Sequence, residues 1–97
     1  MPKGYIIAHV TVSDPAAYEL YRQANAAPFA KYGAKFLVRG TPQTVVEGEM
    51  RPRTVVLEFP SLQAATDCYH SPEYQAAIRL REAASAADIC IIEGWGE

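Results

Sequence analysis

The chain has 97 residues, 49% hydrophobic and 21% charged, with nine Lys and Arg against eleven Asp and Glu for a formal charge of -2. That length suits a single domain over residues 1–97 that buries roughly 60 to 70% of the surface exposed by the unfolded chain. The balance excludes disorder, the scattered cations give no field to gather nucleic acid or anionic lipid, and no stretch reaches the ~20 apolar residues of a spanning helix.

Residues 4–12 (GYIIAHVTV) are rich in β-branched and aromatic types and read as a first strand. Asp14 followed by Pro15 marks a helix start, since the carboxylate accepts orphan amides and Pro fits the first helical position. Ala17, Leu20, Tyr21, Ala24 and Phe29 recur at helical spacing as the inward side, leaving Glu19, Arg22 and Gln23 to solvent; Pro28 kinks or restarts this helix and Gly33 ends it. Residues 34–39 (AKFLVR) and 54–59 (TVVLEF) are strand-like, with 44–48 (TVVEG) continuing the second strand and a hairpin turn at 49–52. Ser61 caps a second helix with Leu62, Ala65, Thr66 and Tyr69 inward, and Ser71-Pro72 restarts it through Tyr74, Ala77, Ile78 and Arg81. Residues 88–93 (DICIIE) form the last strand. The order βαββαβ is that of a ferredoxin-like α+β fold, a four-stranded antiparallel sheet with two helices on one face.

Two helices cover only one face of such a sheet, so period-two alternation shows what the other face meets. The aliphatic sets Ile6, Ala8, Val10, Val12 and Val55, Leu57, Phe59, with Phe36 and Val38, are expected under the helices. The opposite set holds Tyr5, Ile7, His9, Leu37, Arg39, Val56 and Glu58. It is too apolar for open water, and the same face of a second copy is the least demanding cover, giving a homodimer with a cleft between sheets.

On that second face His9 and Glu58 are the candidate acid-base pair if strand register brings them together; a carboxylate beside an imidazole would raise its pKa from about 6.5. The alternative is a pair of ordinary interface polars. Arg39 is the candidate for gripping a substrate carboxylate, or else it neutralises Glu58 or Glu47. Cys68 and Cys90 fit neither a zinc nor a redox spacing and are expected as buried thiols. His70 has no metal-spaced companion, the tyrosines at 18, 21, 32, 69 and 74 occupy core-compatible helical positions, and Arg81 shares an inward side with Tyr74 and Ile78. No nucleophile elbow, phosphate loop or metal pair occurs, so no cofactor is expected, and the start (MPKG) runs straight into a strand without a leader pattern, which reads as cytoplasmic.

Asp14-Pro15 with Tyr18 and Tyr21, YGAKFLVRG at 32–40, Glu47-Gly48, Arg53 with Glu58-Phe59-Pro60-Ser61, Ala65, Tyr69, Ser71-Pro72-Glu73-Tyr74, Arg81 and Glu93-Gly94 together resemble the domain-of-unknown-function 1330 family of the dimeric α/β barrel superfamily, over nearly the full length. The resemblance implies ferredoxin-like subunits paired sheet to sheet, with Arg39, Glu47, Glu58, Tyr69, Tyr74 and Arg81 at positions the family pattern shares. It implies no single reaction, because the superfamily spans haem-degrading and quinone-forming monooxygenases, lactone isomerases and ligand sensors. The expectations are therefore an enzyme acting on a small anionic or carbonyl-containing molecule, with His9 and Glu58 catalytic and Arg39, Glu47, Tyr69, Tyr74 and Arg81 binding, or a non-catalytic, small-ligand-binding or stress-related homodimer. Haem chemistry through His9 is a further superfamily precedent.

Overall fold

The computed structural model describes residues 2–96. The elements are β1 (Gly4–Val12), α1 (Pro15–Ala24), α2 (Ala26–Lys31), β2 (Lys35–Arg39), β3 (Arg53–Phe59), α3 (Leu62–His70), α4 (Pro72–Arg79) and β4 (Ser85–Glu93). They build a four-stranded antiparallel sheet in the order β2-β3-β1-β4. This is the ferredoxin-like α+β arrangement, with each expected helix divided in two.

Local chemistry sets the divisions. Asp14 accepts from the Ala17 amide at 3.2 Å and Pro15 opens α1. Pro28 has no amide with which to reach the carbonyl four residues back, so the ladder breaks at Asn25 and resumes as α2. Ser61 caps α3 by accepting from the Ala64 amide at 3.0 Å. Buried Ser71 serves two helices, its hydroxyl donating to the Cys68 carbonyl at 2.7 Å and accepting from the Tyr74 amide at 3.2 Å. Gly33, at φ 76°, takes the left-handed turn that closes α2.

The core lies where the alternation placed it. Ile6, Ala8 and Val10 of β1 and Val55, Leu57 and Phe59 of β3 are buried under the helices, met by Tyr18, Tyr21, Phe29, Ala65, Cys68 and Tyr74. Several expectations are corrected. Tyr18, not Leu20, is the inward residue of the first turn and a half of α1, and Leu20 is exposed. Leu62 is exposed while Cys68 fills its helix's inward side. Residues 44–48 add nothing to β2; the whole stretch 40–52 is a connection, nearly all of it exposed. Cys90 is exposed on the outer face of β4, whereas Cys68 is buried, and burial pushes its thiol up to about 11, which keeps it protonated and inert.

Gly4 pairs with Phe59 on one side and Glu93 on the other, and a Cβ there would collide with the Ser61 carbonyl and the Leu62 backbone. The start of α3 thus rests directly on β1. Gly4→Ala is expected to lower stability by about 1–3 kcal/mol through overpacking, read as a lower urea midpoint with unchanged slope.

Candidate functional site

β2 carries the residue that decides where the site lies. Phe36 pairs with Leu57 and Arg39 with Val55, so three steps along β2 match two along β3, with the register shift between Phe36 and Val38. That bulge turns the rest of β2 over. Arg39 therefore joins Phe36 on the helix side, its guanidinium carbon 4.3 Å from the Phe36 ring centre, and Val38 goes to the open face. Both had been expected on the opposite sides.

Register also separates the expected acid-base pair. Tyr5 lies opposite Glu58 and His9 opposite Thr54. Four residues of strand put His9 and Glu58 about 13–14 Å apart, too far for one proton-transfer site within a chain. Glu58 accepts from the Tyr5 hydroxyl at 3.0 Å. The Thr54 hydroxyl donates to Gln43 Oε1, so it accepts from His9 Nδ1–H at 3.1 Å, which leaves the imidazole's Nε2 as the atom with a free lone pair. The same fastening continues through Gln43 Nε2 to the Arg51 carbonyl at 3.0 Å and from Arg51 to Asp88 at 3.1 Å and Thr11 at 3.0 Å. His9 is thus part of the clasp that holds the 40–52 connection on one end of the open face.

An enclosed concavity lies on the other side of the sheet, between it and the helices, while a shallower and more open one beside Ile7, His9, Asp88 and Cys90 lies on the open face. The enclosed one holds about 520 Å³ of empty space counting its open mouth. The floor is aliphatic, with Ile6, Val10, Val55, Leu57 and Ile89, and the small side chains of Ala8 on β1 and Ala87 on the adjacent edge strand β4 leave room in it. The roof is aromatic: Tyr18 and Tyr21 have ring centres 5.3 Å apart, Tyr21 and Tyr74 6.2 Å, Phe29 and Tyr74 5.4 Å.

Four arginines line this chamber, Arg22, Arg39, Arg53 and Arg81, and among the described residues no carboxylate, imidazole or thiol does. Arg22 is paired with Glu19 at 3.1 Å. Arg53 lies 5.7 Å from the Tyr18 ring centre and Arg81 5.0 Å from that of Tyr21. Among the described residues neither these two nor Arg39 has a carboxylate within salt-bridge distance. The Nε atoms of Arg22 and Arg53 are buried without a partner. Gly40, at φ 71°, is the residue that makes room for Arg53, because a Cβ there would fall on its guanidinium. The Tyr21 and Tyr74 hydroxyls are 2.6 Å apart in a buried hydrogen bond. Burial, then the neighbouring Tyr21, pushes the Tyr74 phenol well above its ordinary range, and burial raises that of Tyr18 as well.

Of the residues expected to bind, Arg39, Tyr74 and Arg81 meet in the chamber. Glu47 lies in the exposed connection, and Tyr69 packs against His70 and Tyr74 outside the lining. Arg22 and Arg53 had no expected role there. Arg53 was legible as a charge continuing the apolar series Val55, Leu57, Phe59 at the same alternation, opposite Val10.

Residues 3–95 match the family described as a domain of unknown function, DUF1330. The chain belongs to this family. No curated protein matches it. Among solved structures, a protein of unknown function from Rhodopseudomonas palustris is 18% identical with a TM-score of 0.79, covering 99% of this chain and 85% of that one. SnoaB, a cofactor-independent oxygenase from Streptomyces nogalater, is 17% identical at 0.62, covering 100% and 97%. A dimeric ferredoxin-like protein of unknown function from Bacteroides fragilis is 16% identical at 0.62, covering 94% and 95%. At these identities the DUF1330 chain shares a fold with them.

A phenol held protonated by burial stabilises the fold only while the unfolded chain keeps its own proton. Tyr74 therefore contributes fully below about pH 10; above it the unfolded phenol ionises first and stability falls by up to about 1.4 kcal/mol per pH unit. Urea midpoints measured from pH 8.5 to 11 are expected to drop steeply at the alkaline end, and Tyr74→Phe to flatten that drop.

Proposed function

We propose that this DUF1330 protein binds a small organic anion, a carboxylate or an enolate-type molecule, in the chamber between sheet and helices. The observation that carries this reading is a set of three arginines without carboxylate partners around one aromatic-walled cavity in a chain of net negative charge. The half-buried guanidiniums of Arg53 and Arg81 are costly unless an anion completes them, and stacking on rings orients the planes of all three toward one. Arg39, Arg53 and Arg81 grip the charge, while Tyr74 and Tyr21 offer a hydroxyl pair beside Arg81.

The lining provides donors and positive charge and no base near neutrality. Chemistry in this chamber accordingly works by stabilising negative charge on a bound molecule, with a protonated tyrosine as hydrogen-bond donor, and does not use the His9 and Glu58 pair. The SnoaB relative is described as a cofactor-independent oxygenase. Oxygenation without a cofactor takes its electrons from the substrate, and a positive chamber would favour the electron-rich anion such a reaction needs. The missing base equally favours the second reading, a ligand-binding protein without catalysis. Turnover of the bound molecule under oxygen, followed by mass spectrometry, separates the two.

Titration of the protein with benzoate and its hydroxylated analogues tests the reading by calorimetry. Arg53→Met is expected to weaken binding about 10- to 100-fold, the loss of one charge-assisted contact. Ala87→Leu, which fills the floor, is expected to abolish it while the protein stays folded; binding that survives this substitution would place the ligand elsewhere.

The same proposal includes a homodimer formed through the open face. It is supported by dimeric fold relatives and by Ile7, Val38 and Val56, half-buried, with Ile92 49% exposed on that side. Val56→Asp puts a charge amid these residues, and sedimentation at micromolar concentration is expected to show a monomer for the variant and a dimer for the parent.

A further inference from the structure

Arg39 is exposed and water can meet its charge, but Arg53 and Arg81 are half-buried, and they rest on Tyr18 and Tyr21, rings only 5.3 Å apart. Two like charges are thus held on adjacent rings, and Arg53 Nε is a buried donor with nothing to bond. A single negative charge would complete one guanidinium and leave the other half-buried and unpaired, which is the costly arrangement for a cation drawn partly out of water. Glu19, on the same helix as Tyr18 and Tyr21, is committed to Arg22.

We infer that the ligand of this chamber carries two negative charges, one for each of Arg53 and Arg81. The inference rests on the anion-binding reading above and narrows it to a substrate class. Two chemistries supply such a charge on a small flat molecule: a second carboxylate, or a phosphoryl group. Either is recognised by the planar donor fork of arginine, and Gly40 is the positioning residue that lets Arg53 present its fork, since any side chain there would displace it.

Benzoate, isophthalate and phenyl phosphate share one ring and differ in charge and its source, so the unmodified chain is titrated with each at low ionic strength by calorimetry. At least one dianion is expected to bind about tenfold or more tightly than benzoate. Whichever dianion leads identifies the source of the second charge. Its affinity is also expected to fall with salt about twice as steeply as benzoate's. Gly40→Ala should erase most of the advantage in the parent and change little in an Arg53→Met background, which a merely structural effect of the substitution would not do. Benzoate binding as tightly as both dianions, with the same salt slope, would overturn the two-charge inference and leave the anion chamber standing. Failure of all three to bind would overturn the chamber reading itself.

Discussion

A rigid aromatic roof over an aliphatic floor that narrows to alanine at two positions is the constraint on which the rest of this molecule depends. Tyr18, Tyr21, Phe29 and Tyr74 brace one another edge to face or tilted, and a hydrogen bond ties the two central hydroxyls. Rings locked in this way cannot sink onto Ala8 and Ala87 as aliphatic side chains would. The gap between layers is therefore kept open by the packing around it. Large side chains at these two floor positions would have given a tighter core and no site.

The arginines follow from the same roof. Each of Arg39, Arg53 and Arg81 has a ring for a partner where a structural ion pair would have a carboxylate. A cation over a ring gains ~0.5–2 kcal/mol, less than a buried guanidinium recovers from a well-placed carboxylate. The chain leaves that difference unspent inside the chamber, while its surface pairs, such as Lys31 with Glu73 at 2.8 Å, are made in the ordinary way. Elements far apart in sequence contribute: β2 and the start of β3 from one side, and the segment after α4 from the other.

Much of the architecture was legible because the signals are local. Asp14-Pro15, Ser61 and Ser71-Pro72 state where helices begin, and the alternation in β1 and β3 states which side is buried. The site was less legible because it depends on two things that alternation does not carry. One is the extra residue in β2, which sends Arg39 through the sheet; a strict period of two from Phe36 puts it on the wrong face, and nothing in KFLVR announces the slip. The other is register between strands distant in sequence, which sets Tyr5 against Glu58 and His9 against Thr54. Arg53 is a different case, since its phase with Val55, Leu57 and Phe59 already put a cation in line with the core. Cys90, Leu20 and Leu62 were misplaced because apolar character was read as burial, although much of any folded surface is apolar.

The two faces of the sheet divide the work. The open face has the apolar residues suited to assembly, together with the His9 clasp; the covered face has charge and an entrance. A site of arginines and elevated phenols keeps one charge across the neutral range, because guanidinium does not deprotonate in proteins and Tyr18 and Tyr74 ionise only above the ordinary phenol range. An enzyme built around an imidazole-carboxylate pair would show its own titration in a pH profile. On the proposed reading the profile of binding below pH 9 belongs to the ligand: affinity should rise where the ligand loses its last proton and then stay level, so the position of that rise would measure the acidity of the group proposed to meet Arg53 and Arg81.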